Sequence, residues 1–435
     1  MTRPVVSLVK HTDPYSSLRK AIELCDGLAG LSKADKILIK PNIVAWDFEL
    51  PFPPFGVVVT SAVMSALVRI LAEEGFRNLS IGEASRPVPK TQGRAIYRVL
   101  GYETLKEKYG VELVDFNEEK FEPVDFGGFT LNIARKALEA DKIINLPVLK
   151  THNQCKVSLG IKNLKGLLDR KSKIFCHNVD LELDHVFPHI IEKVPVALTI
   201  IDGIFALDRG PGPTGKAYRK DLLVASRDPL ACDVVGAALM GYPAGEVPHL
   251  KYFAERHGRS TDLADVVVRG EKVEEHRFFI PYDWEWTPDD TGPAGFAKRG
   301  ITGLAVRKYD STLCTGCSGV FNPMLIMFMS AFKGEPFPGV EVISGKKQLA
   351  GKGFEKTVLF GKCVCELNKD NPNIKKTIPI RGCPPDLRKF EKAMQEEGIP
   401  CNYEDYVQYR HYIYSRYKEK DGFDLNLFKV DPFQE

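Results

Sequence analysis

The stretch Lys36-Ile37-Leu38-Ile39-Lys40-Pro41-Asn42 reads as an apolar β-strand halted by proline. Residues 60–74 follow with Val63, Leu67, Ile70 and Leu71 at helical spacing, an N-cap at Thr60 or Ser61, and Gly75 as the stop. Asn78-Leu79-Ser80-Ile81 is the next strand and ends at Gly82-Glu83. Strand, helix and strand in this order predict an α/β fold with a mostly parallel sheet. The pattern continues downstream. The strand at 142–146 stops at Pro147, and the strand at 197–201 stops at Asp202-Gly203. A last strand at 221–225 leads through 226–229 into a helix over 231–240. The predicted architecture is a doubly wound α/β domain over residues 1–280 and a connector over 281–303 rich in Pro, Gly and Trp. A smaller α/β domain occupies 304–435.

Length and composition agree with this division. The 435 residues suffice for two or three domains of ordinary size, and 44% hydrophobic with 27% charged residues is a soluble composition. A net charge of +3 and the lack of a basic run with interleaved aromatics argue against a nucleic-acid partner. The N-terminus has no long apolar core of a signal peptide, and no apolar run of about 18 residues exists, so the expectation is a cytoplasmic protein without a membrane partner. The apolar stretch 320–332 is too short to span a bilayer and reads as a buried helix.

Five of the cysteines in the last third of the chain form an ordered set of motifs. Cys314-Thr315-Gly316-Cys317-Ser318 is followed by Gly361-Lys362-Cys363, then Cys365, then Gly382-Cys383-Pro384-Pro385. Soft thiolates in a C-x2-C turn with distant turn cysteines suit an iron–sulfur cluster or zinc. Strands at 356–360 and 376–380 run into the later cysteines, placing each just past a strand's C-terminal end. A zinc ribbon would favour paired C-x2-C knuckles with little sheet around them. In order and flanks the motifs resemble the proximal-cluster domain of nickel–iron hydrogenase small subunits, and the Gly-Cys-Pro-Pro ending is similar to that of the related subunit of respiratory complex I. The resemblance covers roughly residues 310–400. It implies a [4Fe–4S] cluster on Cys314, Cys317, Cys363 and Cys383, with Cys365 as the alternative to Cys363.

A second set of short blocks runs in order through the first domain. These are Ile39-Lys40-Pro41-Asn42, Gly82-Glu83, Asn145-Leu146-Pro147, Lys150-Thr151-His152, Lys162-Asn163-Leu164-Lys165-Gly166, Asp202-Gly203, the glycine-rich run 210–215, and Asp228-Pro229 with Asp233. Together they resemble the family catalogued as domain of unknown function 362, whose members often carry iron–sulfur motifs of bacterial ferredoxin type. This chain departs from that habit, since its own cysteine pattern is hydrogenase-like.

The residue chemistry can be read without the family. Lys40, Lys150, Lys162 and Lys165 are flexible point charges near strand ends, able to meet an anion, although lysines are mostly solvated surface residues. His152 exchanges protons near neutral pH. Asn42 and Asn163 supply amide donors and acceptors, while Glu83 and Asp202 can accept a proton or position a substrate. The expected pocket takes a small anionic molecule, with Lys150, His152 and Lys162 as catalytic groups and Lys40, Asn42, Glu83, Asn163, Lys165 and Asp202 as its binding set. The run at 210–215 lacks the Gly-Lys-Ser/Thr ending of a P-loop, and no Gly-x-Gly-x-x-Gly fingerprint implies a nicotinamide; a flavin stays open.

A third feature is Cys176-His177 followed by Asp180, Glu182, Asp184, His185 and His189. A helix there would put His185 and His189 on one metal-binding face, but Pro188 stands between them. A histidine at the place of His177 is common in the resembled family, and Cys155 reads as a small core residue beside the lysine block.

These readings converge on an iron–sulfur oxidoreductase, with a redox partner protein such as a ferredoxin. Two alternatives stand beside it. One is an electron-transfer or maturation subunit of a larger enzyme, which the hydrogenase resemblance favours. The other is a non-redox isomerase or ligand-binding protein with a structural cluster; Glu83-Ala84-Ser85-Arg86-Pro87 is similar to a loop of lactate racemase-like proteins. The oligomeric state is not legible.

Overall fold

The computed structural model describes residues 3–85 and 92–430. The chain divides into two compact units. Met1–Ser172, Asp184–Asp283 and Arg416–Glu435 form the first, and Lys173–Leu183 with Trp284–Ser415 form the second.

In the first unit, β1 (Val5–Lys10), β2 (Ile37–Pro41), β3 (Leu79–Glu83) and β4 (Glu112–Asp115) precede a separate hairpin of β5 (Phe121–Asp125) and β6 (Thr130–Ala134). Next come β7 (Lys142–Leu146), β8 (Val148–His152), β9 (Lys156–Ser158), β10 (Val196–Leu207), β11 (Ala217–Ser226) and β12 (Val267–Gly270). Ten of these strands form one sheet in the order β12-β1-β11-β10-β7-β2-β3-β4, with β8 paired to β10 and β9 to β8. The run β10-β7-β2-β3-β4 is parallel throughout.

The predicted helix and strand around β2 appear in place. Helix Ser61–Glu73 is capped by Thr60, whose Oγ1 accepts from the Val63 amide, and its Val63, Leu67, Ile70 and Leu71 are buried. One strand departs from the expected direction. β11 runs antiparallel to both β10 and β1. The glycine-rich run 210–215 explains it, because it closes a hairpin directly between β10 and β11 and leaves no room for the crossover that parallel strands need.

The core of this unit gathers around β2, β10 and helix Ser61–Glu73, and the C-terminal segment contributes Tyr417, Phe428 and Val430 to it. Phe55 meets the rings of Phe205, Tyr417, Phe423 and Phe428 at centroid distances between 5.0 and 5.4 Å.

The second unit holds a four-stranded parallel sheet in the order β13 (Leu304–Val306), β14 (Val340–Ser344), β15 (Lys356–Phe360) and β16 (Thr377–Ile380). Helix Thr315–Ala331 begins at Cys314 and buries Phe321, Met324, Met327 and Phe328, as the apolar stretch predicts. The tyrosine-rich tail forms helix Tyr403–Ser415 with Tyr406 and Ile413 turned inward. Among the described residues no helix is long and apolar enough to cross a membrane.

Candidate functional site

The ends of β2, β3, β7 and β8 bring together most of the polar residues singled out from the sequence. Lys40 sits near the end of β2 and is 1% exposed. Its ammonium donates to Glu83 Oε2 at 2.8 Å, Asn163 Oδ1 at 2.9 Å and the Pro41 carbonyl at 3.1 Å. Three protons meet three acceptors, so the group is saturated. Glu83 is completed by the Ile43 amide at 3.2 Å and the Ala84 amide at 2.9 Å. Asn163 Oδ1 also accepts from Asn42 Nδ2 at 2.9 Å, and its own Nδ2 donates to Asn145 Oδ1 at 2.9 Å and the Lys40 carbonyl at 3.2 Å. Gly166 is required here for space, since a Cβ at that position would lie 2.2 Å from Glu83 Oε1 and 2.3 Å from Lys40 Nζ.

Lys150 lies in the middle of β8, fully buried. Its Nζ donates to Asn42 Oδ1 at 2.6 Å and the Val57 carbonyl at 2.7 Å. Burial, and then the charges of Lys162 and Lys40, push its amine down to about 7. A neutral amine has two protons, and both are used. For Lys40, burial likewise lowers the amine from its ordinary value, while the Glu83 carboxylate opposes the shift. A buried ammonium in direct contact with a carboxylate and two further acceptors is the charged member of the two.

Asp202 stands apart from this network. Its Oδ2 accepts from the amide and the hydroxyl of Thr60, both at 2.7 Å, and its Oδ1 from the Ile204 amide at 3.1 Å. It anchors the start of helix Ser61–Glu73, and burial raises its carboxyl. Asp233 plays a similar part beneath the lysine block, accepting from the Gly160 and Ile161 amides at 2.6 and 2.9 Å, with its carboxyl pushed by burial up to about 7.

Lys162 differs from its neighbours. Its Nζ lies 5.3 Å from the centre of the Phe187 ring, and among the described residues no carboxylate stands within ion-pair distance. Buried beside it are Lys165, Cys155 and the pair Asp184 and His249. Burial, followed by Asp184, raises the Cys155 thiol, and the charges of Lys162 and Lys165 oppose this. His249 Nδ1 lies 3.3 Å from Asp184 Oδ1, and burial holds its imidazole below the ordinary value. His152 is buried at the end of β8, with Nδ1 accepting from the Gln154 amide at 3.2 Å. Asn145, the Val57 carbonyl and His249 are the parts of this region that the sequence did not single out as site residues. A polar side chain inside the apolar strand Lys142–Leu146 was the available signal for the first; a backbone carbonyl leaves none.

Residues 37–238 match the family model described as Domain of unknown function (DUF362). The matched segment runs from β2 into helix Pro229–Leu239 and holds the network above, apart from His249. The "Thylakoid-associated protein sll1697" of Synechocystis sp. is 28% identical over 258 residues, which cover 58% of this chain and 77% of that protein. Among solved structures, the lactate racemase apoprotein of Thermoanaerobacterium thermosaccharolyticum is similar at 16% identity and a TM-score of 0.35, covering 54% of this chain and 57% of the other. The chain thus spans just over half the length of that structure. Of the segment compared above with a racemase-like loop, Arg86 and Pro87 lie outside the described residues.

The cysteines of the second unit lie beyond the matched segment. Cys314 caps helix Thr315–Ala331, so Cys317 sits in its first turn. Cys363 opens helix Lys362–Leu367 directly after β15, and Cys383 follows β16. Gly361 precedes Cys363 at φ +124°, and a Cβ there would lie 3.2 Å from Cys317 Sγ. A hydrogen bond from Cys317 lowers the Cys314 thiol to about 5, and the same bond raises Cys317, as do burial and the charges of Cys314, Cys363 and Cys383. The four thiols therefore act on one another at one end of the sheet. Cys365 feels the charge of Cys363 but turns the other way. It is buried with Ile343, Ala350, Leu359 and Val364, and its thiol donates to the Leu359 carbonyl at 3.4 Å.

The region of Cys176 to His189 is divided. His177 belongs to the second unit, where its Nδ1 lies 2.7 Å from the Ser311 carbonyl and its own carbonyl accepts from Lys346 Nζ. His185 and His189 do not share a helical face, because helix Leu183–Val186 gives way to a 3-10 turn at Phe187-Pro188. His185 stacks on Tyr252 at 4.2 Å, and His189 Nε2 lies 2.9 Å from the Tyr252 hydroxyl. Among the described residues no group of three or more His, Cys, Asp or Glu is arranged to hold a metal ion.

Proposed function

We propose that the chain is an iron–sulfur oxidoreductase, with a [4Fe–4S] cluster on Cys314, Cys317, Cys363 and Cys383 of the second unit. The observation that carries this reading is the gathering of these four thiols at one end of a parallel sheet while Cys365 turns into the apolar core. The donor set fits the group. Four soft thiolates suit such a cluster, whose cube of irons spreads its ligands farther apart than the single ion that a compact cage would hold. When bound, the cluster supplies one-electron transfer. The protein's part is to fix the thiols: Cys314 and Cys317 by the first turn of a helix, Cys363 and Cys383 by strand ends.

In the first unit the saturated network changes which residues are offered to a substrate. Lys40, Asn42, Glu83, Asn163 and Lys150 satisfy one another and hold the strand ends in register, and Asp202 anchors a helix. Lys162, above the Phe187 ring, is left as the cation to orient a small anionic substrate, with His152 at the end of β8 as the group that exchanges a proton.

The exposure of Cys363 and Cys383 supports a redox partner protein such as a ferredoxin and favours a second reading, an electron-transfer subunit without a substrate of its own. Anaerobically purified protein is expected to contain about four iron and four sulfide per chain and to give a reduced-cluster electron paramagnetic resonance signal with dithionite. One zinc per chain without sulfide would overturn the cluster. A reducible cluster in a protein that turns over no small carboxylate or phosphate would select the subunit reading.

A further inference from the structure

A second feature of the first unit lies at the opposite end of the parallel strands from the lysine network. A groove of about 620 Å³ opens where β1, β7 and β10 begin, and the turn from β11 into helix Pro229–Leu239 forms one wall. Its size falls within the range of roughly 300–1,000 Å³ typical of small-molecule sites. It belongs to no role assigned above.

Its charges are unbalanced. Two carboxylates line it, and both are engaged by arginines outside it: Asp228 by Arg259 at 2.6 Å and Asp26 by Arg269 at 3.6 Å. Three cations also line it, Arg3, Lys142 and Arg227. Arg3 donates only to a neutral group, the Ala264 carbonyl. Among the described residues, Lys142 and Arg227 make no side-chain ion pair or hydrogen bond. The start of helix Pro229–Leu239 on the same wall is already capped, since Asp228 Oδ1 accepts from the Ala231 amide at 2.9 Å, so the cationic side chains alone supply the charge. The lining contains no aromatic ring on which a base would stack.

We propose that this groove binds a small phosphorylated metabolite, its phosphate held by Arg227 and Lys142 and a second anionic or hydroxyl group by Arg3. Arginine's planar fork suits phosphate oxygens, and a lysine adds a movable point charge. The assignment does not depend on the iron–sulfur reading.

Calorimetric titration of the full-length protein with inorganic pyrophosphate, at constant ionic strength, is expected to show saturable binding at one site. The Lys142→Ala/Arg227→Ala double variant should bind at least about tenfold more weakly, as the loss of charge-assisted hydrogen bonds implies. Lys389→Ala, which removes an exposed cation of the second unit, should bind as the parent does. Circular dichroism of the double variant should match the parent, since the two altered side chains are partly or fully exposed. Failure of pyrophosphate to saturate, or equal weakening by Lys389→Ala, overturns the proposal. Tighter binding of citrate than of pyrophosphate overturns its phosphate class.

Discussion

Lys40 and Cys383 hold comparable places in their sheets, each at or just past the C-terminal end of a parallel strand, and they meet opposite surroundings. Lys40 is buried, and each of its ammonium protons already has an acceptor. Cys383 is exposed and acts on the thiol of Cys317. A strand end in an open α/β sheet is a favoured place for ligands, but position alone does not separate a ligand-binding group from a scaffold group. What separates them is whether the polar atoms are already satisfied from within. By that criterion the first unit spends most of its charged motif residues on holding itself together, whereas the second leaves Cys363 and Cys383 exposed at its surface.

The largest expected effect breaks or upholds the second half of that contrast. Cys383→Ser should remove or convert the cluster, whereas Cys365→Ser should leave iron and sulfide near parental content, because its thiol lies in the core. Equal iron loss in the two variants would place both cysteines in one role.

Lys40→Met tests the scaffold half. It leaves the Glu83 carboxylate buried without its cation, a change worth about 3–5 kcal/mol in comparable buried pairs. Urea unfolding followed by circular dichroism should show a loss of that order. A loss below about 1 kcal/mol, the scale of an exposed pair, would return Lys40 to the substrate set.

Lys150 sharpens the comparison through pH. Its folded amine is lowered to about 7, below the unfolded value, so the unfolded chain binds the extra proton between these two limits. The penalty for keeping the amine buried is fully present below pH 7 and is relieved as pH rises toward about 10, with a slope of at most about 1.4 kcal/mol per pH unit. Lys150→Met carries no such group. Its stability relative to the parent should therefore be most favourable below pH 7 and decline as pH rises. A difference that stays flat across this window would show that the amine is not lowered.

Asp202→Asn should have the smallest effect, about 1 kcal/mol, through weaker anchoring of the Thr60 cap. A loss of substrate binding at unchanged stability would move Asp202 back to the site.

The sequence made local structure legible where a pattern is short. The helix behind Thr60 and the strands ending at Lys40 and Glu83 follow from spacing and stop residues alone. The direction of β11 was not legible in the same way, since it depends on whether the preceding loop closes a hairpin or covers a helix. Saturation of the lysines was hidden for another reason. Their acceptors include the carbonyls of Pro41 and Val57, and a backbone oxygen has no signature in a sequence. The different surroundings of Cys363 and Cys365 needed the phase of a helix, because residues two apart on a helix face different sides. That helix begins at Lys362, and its phase turns Cys365 toward Leu359. His249 escaped notice because nothing local marks a lone histidine in helix Pro248–Arg256 as the neighbour of Asp184.

The path of the chain between its two units has a consequence for biosynthesis. It passes from one to the other after Ser172, Leu183, Asp283 and Ser415. The first unit therefore waits for residues that leave the ribosome after those of the second. The Ala217 amide donates to the Tyr417 hydroxyl at 2.8 Å, the Val430 amide to the Leu100 carbonyl at 3.0 Å, and Phe55 packs against Tyr417, Phe423 and Phe428. A nascent chain ending at Asp283 would hold the strands of the large sheet but leave Phe55 and Phe205 uncovered on one side. The second unit, whose sheet is contiguous from Leu304 to Ile380, needs only the earlier segment Lys173–Leu183 and can close before the segment from Arg416 onward is made. Translation order thus favours completion of the cysteine-bearing unit while the larger one is still unfinished.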